Sequence, residues 1–162
     1  MKIILAACGA AGIMGAPLLA QVEIGTLAEL HAVRQNLTGS YRLTNDIDAA
    51  ATADWNELID RGAWNAETDY VRVDPLSHDR VQHLTTNYYA LADSGPGHGG
   101  AVEPGVAANW TTYWQATTLP AGHKLGFEPI GPSASVTFRG VLDGDGYAIT
   151  NLAINRPETL NY

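Results

Sequence analysis

The chain has 162 residues, with 9 Lys and Arg against 17 Asp and Glu, a formal charge of −8. That balance argues against nucleic acid as a main partner, because phosphate binding needs clustered cations, and against docking on an anionic membrane surface. Cys8 is the single cysteine, which excludes an intrachain disulfide and a cysteine-built zinc site. With 17 Gly, 8 Pro, 4 Trp and 7 Tyr and few charges, the composition points to turn-rich β structure rather than a helical bundle or disorder.

Residues 1–20 are apolar apart from Lys2 and rich in Ala and Gly. Four glycines and Pro17 weaken the reading as a membrane span, which needs about 20 strongly apolar residues. Lys2, the run Ile3–Ala7 and the small-residue exit at Leu18–Ala20 imitate a secretory leader, and Leu5-Ala6-Ala7-Cys8 imitates a lipoprotein box. The preferred reading is a retained segment, residues 1–21, that buries itself against a partner chain. No membrane span is expected.

Leu27, Leu30, Val33 and Leu37 have helical spacing. Thr26 is placed to cap that helix with Glu29 three residues on, and Gly39 to end it. Tyr41, Leu43 and Ile47 then alternate as in a short strand with one buried face, and 49–54 read as a loop. Between Gly62 and Gln115 the composition shifts to aromatics around an irregular centre, Asp93 to Gly100. Beyond Gly126, short apolar runs separated by Gly131-Pro132 and by Asp143-Gly144-Asp145-Gly146 read as strands joined by tight turns.

The outer segments carry Gly39-Ser40-Tyr41-Arg42-Leu43-Thr44-Asn45-Asp46-Ile47-Asp48, then Phe127-Glu128-Pro129-Ile130-Gly131, then Phe138 to Ile154 in the form F-x-G-x-L-D-G-x-G-Y-x-I-x-N-L-x-I. These phrases, covering about half the chain, resemble the N-terminal part of right-handed parallel β-helices of bacterial adhesins and phage tail fibres, with a GLUG-like signature. The resemblance implies a mainly β fold: the start of a right-handed parallel β-helix, with a short N-terminal helix and a small inserted β module. Alternating Leu, Ile and Phe would fill each coil, and glycines would permit its corners. One or two coils cannot bury their own interior. Either the displayed chain is the first part of a longer protein, the preferred reading, or another chain caps the open end.

The middle segment resembles small chitin- and cellulose-binding modules, including those of phage tail proteins. The resemblance rests on Trp64, Tyr70, Val81, Tyr88 or Tyr89, Ala90, Pro104 and the ending Asn109-Trp110-Thr111-Thr112-Tyr113-Trp114. The expected organisation is therefore an attachment segment at 1–21, a β-helix part at 22–58 plus 119–162, and an insert at 59–118. Sugars stack on aromatic faces, so Tyr88, Tyr89, Trp110, Tyr113 and Trp114 are the candidate carbohydrate contacts. A small module also needs aromatics for its core. Trp64 and Trp110 are the core expectation, while one of Tyr88/Tyr89 and one of Tyr113/Trp114 should be exposed, since strand neighbours face opposite ways.

Asp46/Asp48 and Asp143/Asp145 pair carboxylates as glycosidases do, but both pairs lie inside the structural phrases and read as corner residues. Asp143 to Gly146 lacks the remaining ligands of a calcium loop. The histidines have no metal spacing, and there is no nucleophile elbow or phosphate loop. No catalytic residue, metal or cofactor is expected. The resemblances together imply a non-enzymatic virion structural and attachment protein, part of a phage tail fibre or spike. It would be held to other tail or baseplate proteins through 1–21 and would present a host-glycan-binding surface, with a homo-oligomer, commonly a trimer, as family expectation. The alternatives are a secreted bacterial surface adhesin and the N-terminal part of a polysaccharide-degrading β-helix enzyme.

Overall fold

The computed structural model describes residues 2–4, by backbone alone, together with 21–131 and 136–157. The attachment segment expected at 1–21 lies mostly outside the described residues, as does Cys8. The fold is mainly β, as the composition suggests, and its contacts divide the chain into two compact units. Among the described residues, one unit takes 2–4, 21–53 and 127–154, and the other takes Asp54–Gly126 with 155–157. The stretch 59–118 falls within the second unit, which also takes 54–58 and 119–126.

The first unit contains β1 (Lys2–Ile4), β2 (Val22–Ile24), α1 (Leu27–Ala32), β3 (Ser40–Leu43), β4 (Ile47–Asp48), β10 (Val141–Asp143) and β11 (Ala148–Thr150). Thr26 Oγ1 accepts the Glu29 N–H at 3.2 Å, and the Glu29 carboxylate accepts the Thr26 N–H at 2.9 Å. This capping box satisfies donors that the first turn leaves open. The helix tightens into a 3₁₀ turn at Val33–Gln35 and stops at Asn36, short of Gly39. Asn36 Oδ1 accepts the Thr38 N–H, and the Asn36 carbonyl accepts the Tyr41 hydroxyl at 2.6 Å, so both groups serve the turn rather than a further helical step. Gly39 is required for another reason: a Cβ there would strike the Tyr41 ring.

β2, β3 and β10 pair in parallel, placing Val22 beside Tyr41 and Tyr41 beside Leu142. β4 and β11 pair in parallel with Ile47 beside Ile149. Because side chains alternate along a strand, these registers stack Tyr41 on Leu142, Ile24 on Leu43 and Ile47 on Ile149 toward one interior. On the opposite parity Arg42 stands between Glu23 and Asp143, with its guanidinium 3.0 Å from the Glu23 carboxylate. Ser40 to Asp48 therefore forms one layer, and Val141 to Thr150 the next.

Asp46 Oδ1 accepts the Ala148 N–H at 2.8 Å and Thr52 Oγ1 accepts the Ala153 N–H at 2.9 Å, fastening corner to corner between the layers. Residues 49–54, expected as a loop, contain a 3₁₀ turn at Ala50–Asp54, started by Asp48 Oδ1 accepting the Ala50 N–H. β1 runs antiparallel along the outer edge of β11, opposing Ile4 to Ala148. The N-terminal strand thus packs on its own chain. No helix among the described residues is long and apolar enough to cross a membrane.

The second unit contains β5 (Glu57–Ala63), β6 (Arg72–Val73), β7 (Ser77–His83), β8 (Thr86–Ala90), α2 (Trp110–Tyr113) and β9 (Trp114–Thr117). Its sheet runs β5-β7-β8-β9, with β6 beside the start of β7. The two faces of β8 have separate cores. Tyr88 joins Tyr70, Val81, Ala90 and Trp114, whereas Tyr89 joins Leu58, Leu119 and Leu125.

Candidate functional site

The face of the second unit's sheet built on Tyr70, Val81, Tyr88 and Trp114 carries the accessible aromatics. Trp64, Trp110 and Tyr113 pack against that cluster while staying only partly buried. Trp64 follows directly on β5, and its backbone N–H donates to the Gln82 carbonyl of β7 at 2.8 Å. The short α2 delivers Trp110 and Tyr113. Trp110 meets the Tyr88 ring edge-on with centroids 5.6 Å apart, and Trp64 meets His83 in the same manner at 5.3 Å.

The loop from Val102 to Asn109 frames this face. The Trp114 indole N–H donates to the Val102 carbonyl at 2.7 Å, anchoring the start of the loop. His83 Nε2 lies 3.0 Å from Glu103 Oε1, which brings a carboxylate of the loop beside the β7–β8 hairpin. Gly105, at φ +74°, turns the chain where a side chain would press on the Tyr88 hydroxyl. The Trp64 indole N–H is buried and meets no acceptor among the described residues. Such a donor costs about 1–3 kcal/mol, which a bound acceptor would remove.

The five expected sugar contacts therefore separate. Tyr88, Tyr89 and Trp114 are 8%, 4% and 1% exposed and belong to cores. The expectation that one of Tyr88 and Tyr89 faces solvent is corrected. Their side chains do leave β8 on opposite faces, but residues 119–125 cover the second face as fully as the aromatics cover the first. Trp110 and Tyr113 remain at the rim. Trp64 and Trp110, both expected as core, pack against the core cluster but stay partly buried. The His83–Glu103 contact had no local signal, because its partners are joined only by the fold of the glycine-rich loop.

Asp69 is one of the groups that hold that loop. Asp69 Oδ1 accepts the Gly97 N–H at 2.8 Å, and Cβ atoms at Gly95 or Gly97 would collide with Asp69. The paired carboxylates act as backbone acceptors. Asp48 receives the Asn151 amide and the Ala50 N–H, which hold its carboxyl below the usual range. Asp143 Oδ1 accepts the Asp145 N–H at 3.0 Å within a turn where Asp145 and Gly146 have positive φ. No family model, curated protein or solved structure matches this chain.

Proposed function

We propose that the protein is a non-enzymatic structural and attachment component of a phage tail fibre or spike, the N-terminal part of a β-helical stack with a glycan-binding module inserted between two of its layers. The observation that carries this reading is the in-register parallel pairing of β2, β3 and β10. Repeating inward positions are the means by which a solenoid grows outward from a base. The second unit enters the chain between the layer of β3 and that of β10 and has its own cores, as an inserted module requires.

Within that module, Trp64, Trp110 and Tyr113 offer apolar platforms, and His83 with Glu103 offers polar groups beside them. That combination suits a sugar, whose ring faces are apolar and whose hydroxyls need hydrogen-bond partners. Two measurements test the reading. Peptides from 22–157 should be found by mass spectrometry in purified phage particles, and their absence from particles ends the virion assignment. Calorimetric titration with a chitin oligosaccharide should give binding that Trp110→Ala and Tyr113→Ala weaken about tenfold or more, a loss of about 1.4 kcal/mol, with thermal unfolding little changed. Unaltered binding in both variants removes those rings from the site.

A further inference from the structure

We propose that the aromatic face of the second unit prefers sugars carrying a free, protonated amine over N-acetylated or acidic sugars, and that Glu103 sets the preference. The inference rests on the glycan-binding reading and names the class of sugar within it. Glu103 is held in place from both sides along the chain. Its neighbour Val102 donates its N–H to Ser94 Oγ at 2.9 Å, and the Val102 carbonyl accepts the Trp114 indole N–H at 2.7 Å. Beyond it, the Ala107 N–H donates to the Glu103 carbonyl at 3.1 Å, closing the turn that presents the side chain.

Two series of contacts put the carboxylate at the rim. Trp64 meets the His83 ring, and His83 Nε2 lies 3.0 Å from Glu103 Oε1. Gly105 lies so near the Tyr88 hydroxyl that a Cβ would strike it, and Tyr88 in turn meets Trp110. Glu103 and Gly105 are two residues apart, so their Cα atoms lie within about 7 Å. The carboxylate therefore stands beside the rim that carries Trp64 and Trp110. Its side chain is 40% exposed, and among the described residues no Lys or Arg pairs with it. The imidazole of His83 offsets that charge only when protonated. An acidic sugar is repelled from such a group, and the chain's charge of −8 adds to the repulsion.

One carboxylate supplies too few oxygens for a metal ion. A cation that brings its own apolar C–H surface suits the face better. The sugar rings rest on the aromatic platforms, while the ammonium donates to Glu103 and draws on the negative faces of the indoles. N-acetylation removes that charge and leaves stacking and neutral hydrogen bonds alone.

The test titrates the full chain, by calorimetry, with a glucosamine oligosaccharide, a chitin oligosaccharide of equal length and an oligogalacturonate, at a pH where amines are protonated and carboxylates ionised. The glucosamine oligomer should bind about tenfold tighter than the chitin oligomer, and the oligogalacturonate weakest. Added salt should weaken glucosamine binding more than chitin binding. Glu103→Gln should bring those two ligands within about twofold of each other, by weakening glucosamine binding most, while the unfolding midpoint holds. Trp110→Ala should weaken both, which separates this site from general attraction of a cation to an acidic surface. Chitin or galacturonate binding as tight as glucosamine binding overturns the proposal and leaves the glycan reading standing. A preference that survives Glu103→Gln, or glucosamine binding unaltered in Trp110→Ala, overturns it too, because the charge then lies elsewhere. Binding of none of the three ends the glycan reading, and the proposal with it.

Discussion

His78 Nε2 stands 3.0 Å from Asn56 Oδ1 in the interior of the second unit, while its Nδ1 lies 2.5 Å from the Ala90 carbonyl oxygen. Asn56 Nδ2 donates to the Gly126 carbonyl at 2.8 Å, so the amide oxygen is the group that faces the ring. One side chain thus ties the start of β5 to β7 and to the far end of the unit. Asn56 also has φ +56°, a conformation that Asn tolerates better than most residues. Asn56→Gly should isolate the hydrogen bonds, costing about 2–4 kcal/mol for two lost contacts to buried groups. Asn56→Ala should cost about 1 kcal/mol more through backbone strain. Urea unfolding of the two variants checks the order, and an equal loss in both would remove the strain contribution.

Asp79 is 2% exposed and accepts from Arg61 Nε at 2.8 Å and from the Val71 N–H at 2.9 Å. Arg61 is 48% exposed, so water screens the pair from one side. Asp79→Ala leaves the Val71 N–H without this acceptor, and Arg61→Ala leaves a buried carboxylate without its cation. Each should destabilise by about 2–3 kcal/mol, at or below the lower limit for a broken buried pair because water screens Arg61. In a double-mutant cycle the effects should fall short of additivity by about 1 kcal/mol. Additive losses would mean that the two groups are not coupled.

Gly140 lies where the chain enters the layer of β10. A Cβ there would meet the Gly39 carbonyl oxygen closer than any real side chain approaches, and that same oxygen accepts the Val141 N–H. Gly140→Ala must push β10 away from β3. The expected loss is about 2–3 kcal/mol, within the range for overpacking, with exchange at the Val141 amide accelerated. Retention of a slow Val141 amide would show that the layers can shift without parting.

The capping box gives a pH dependence of known sign. The Gly25 N–H first, then the Thr26 hydroxyl and the Thr26 N–H, hold the Glu29 carboxyl below its ordinary range. A lowered folded value means that this stabilisation is present above the ordinary glutamate pKa of about 4.3 and is lost as pH falls through the lowered folded value. Glu29→Gln should flatten that part of the acid limb of the stability curve. Thr26→Ala should cost about 1 kcal/mol at neutral pH, measured by thermal unfolding. An acid limb unchanged in Glu29→Gln would assign the dependence to other carboxylates.

Much of the first unit can be read along the chain because its constraints are local. Thr26 and Glu29 are three residues apart, and a capping box needs nothing else. The alternation of Tyr41, Leu43 and Ile47 chooses which side faces inward before any partner strand is known. Asp143 to Gly146 holds the residue types that positive φ requires at Asp145 and Gly146. The site was less legible. Adjacent tyrosines at 88 and 89 predict opposite faces, but not that Leu119 and Leu125 return to cover the second one. Likewise, nothing local to His83 indicates Glu103.

By itself, then, the sequence determined the β-rich class, the helix start, the inward positions of the short strands and the turns, since each follows from the conformational preferences of a few neighbouring residues. Tertiary structure decided which aromatics stay accessible, that Asn56 serves both His78 and Gly126, and that β10 pairs with β3. Those features depend on segments far apart in the chain meeting through backbone pairing and packing, and the pattern of either segment alone does not specify its neighbour.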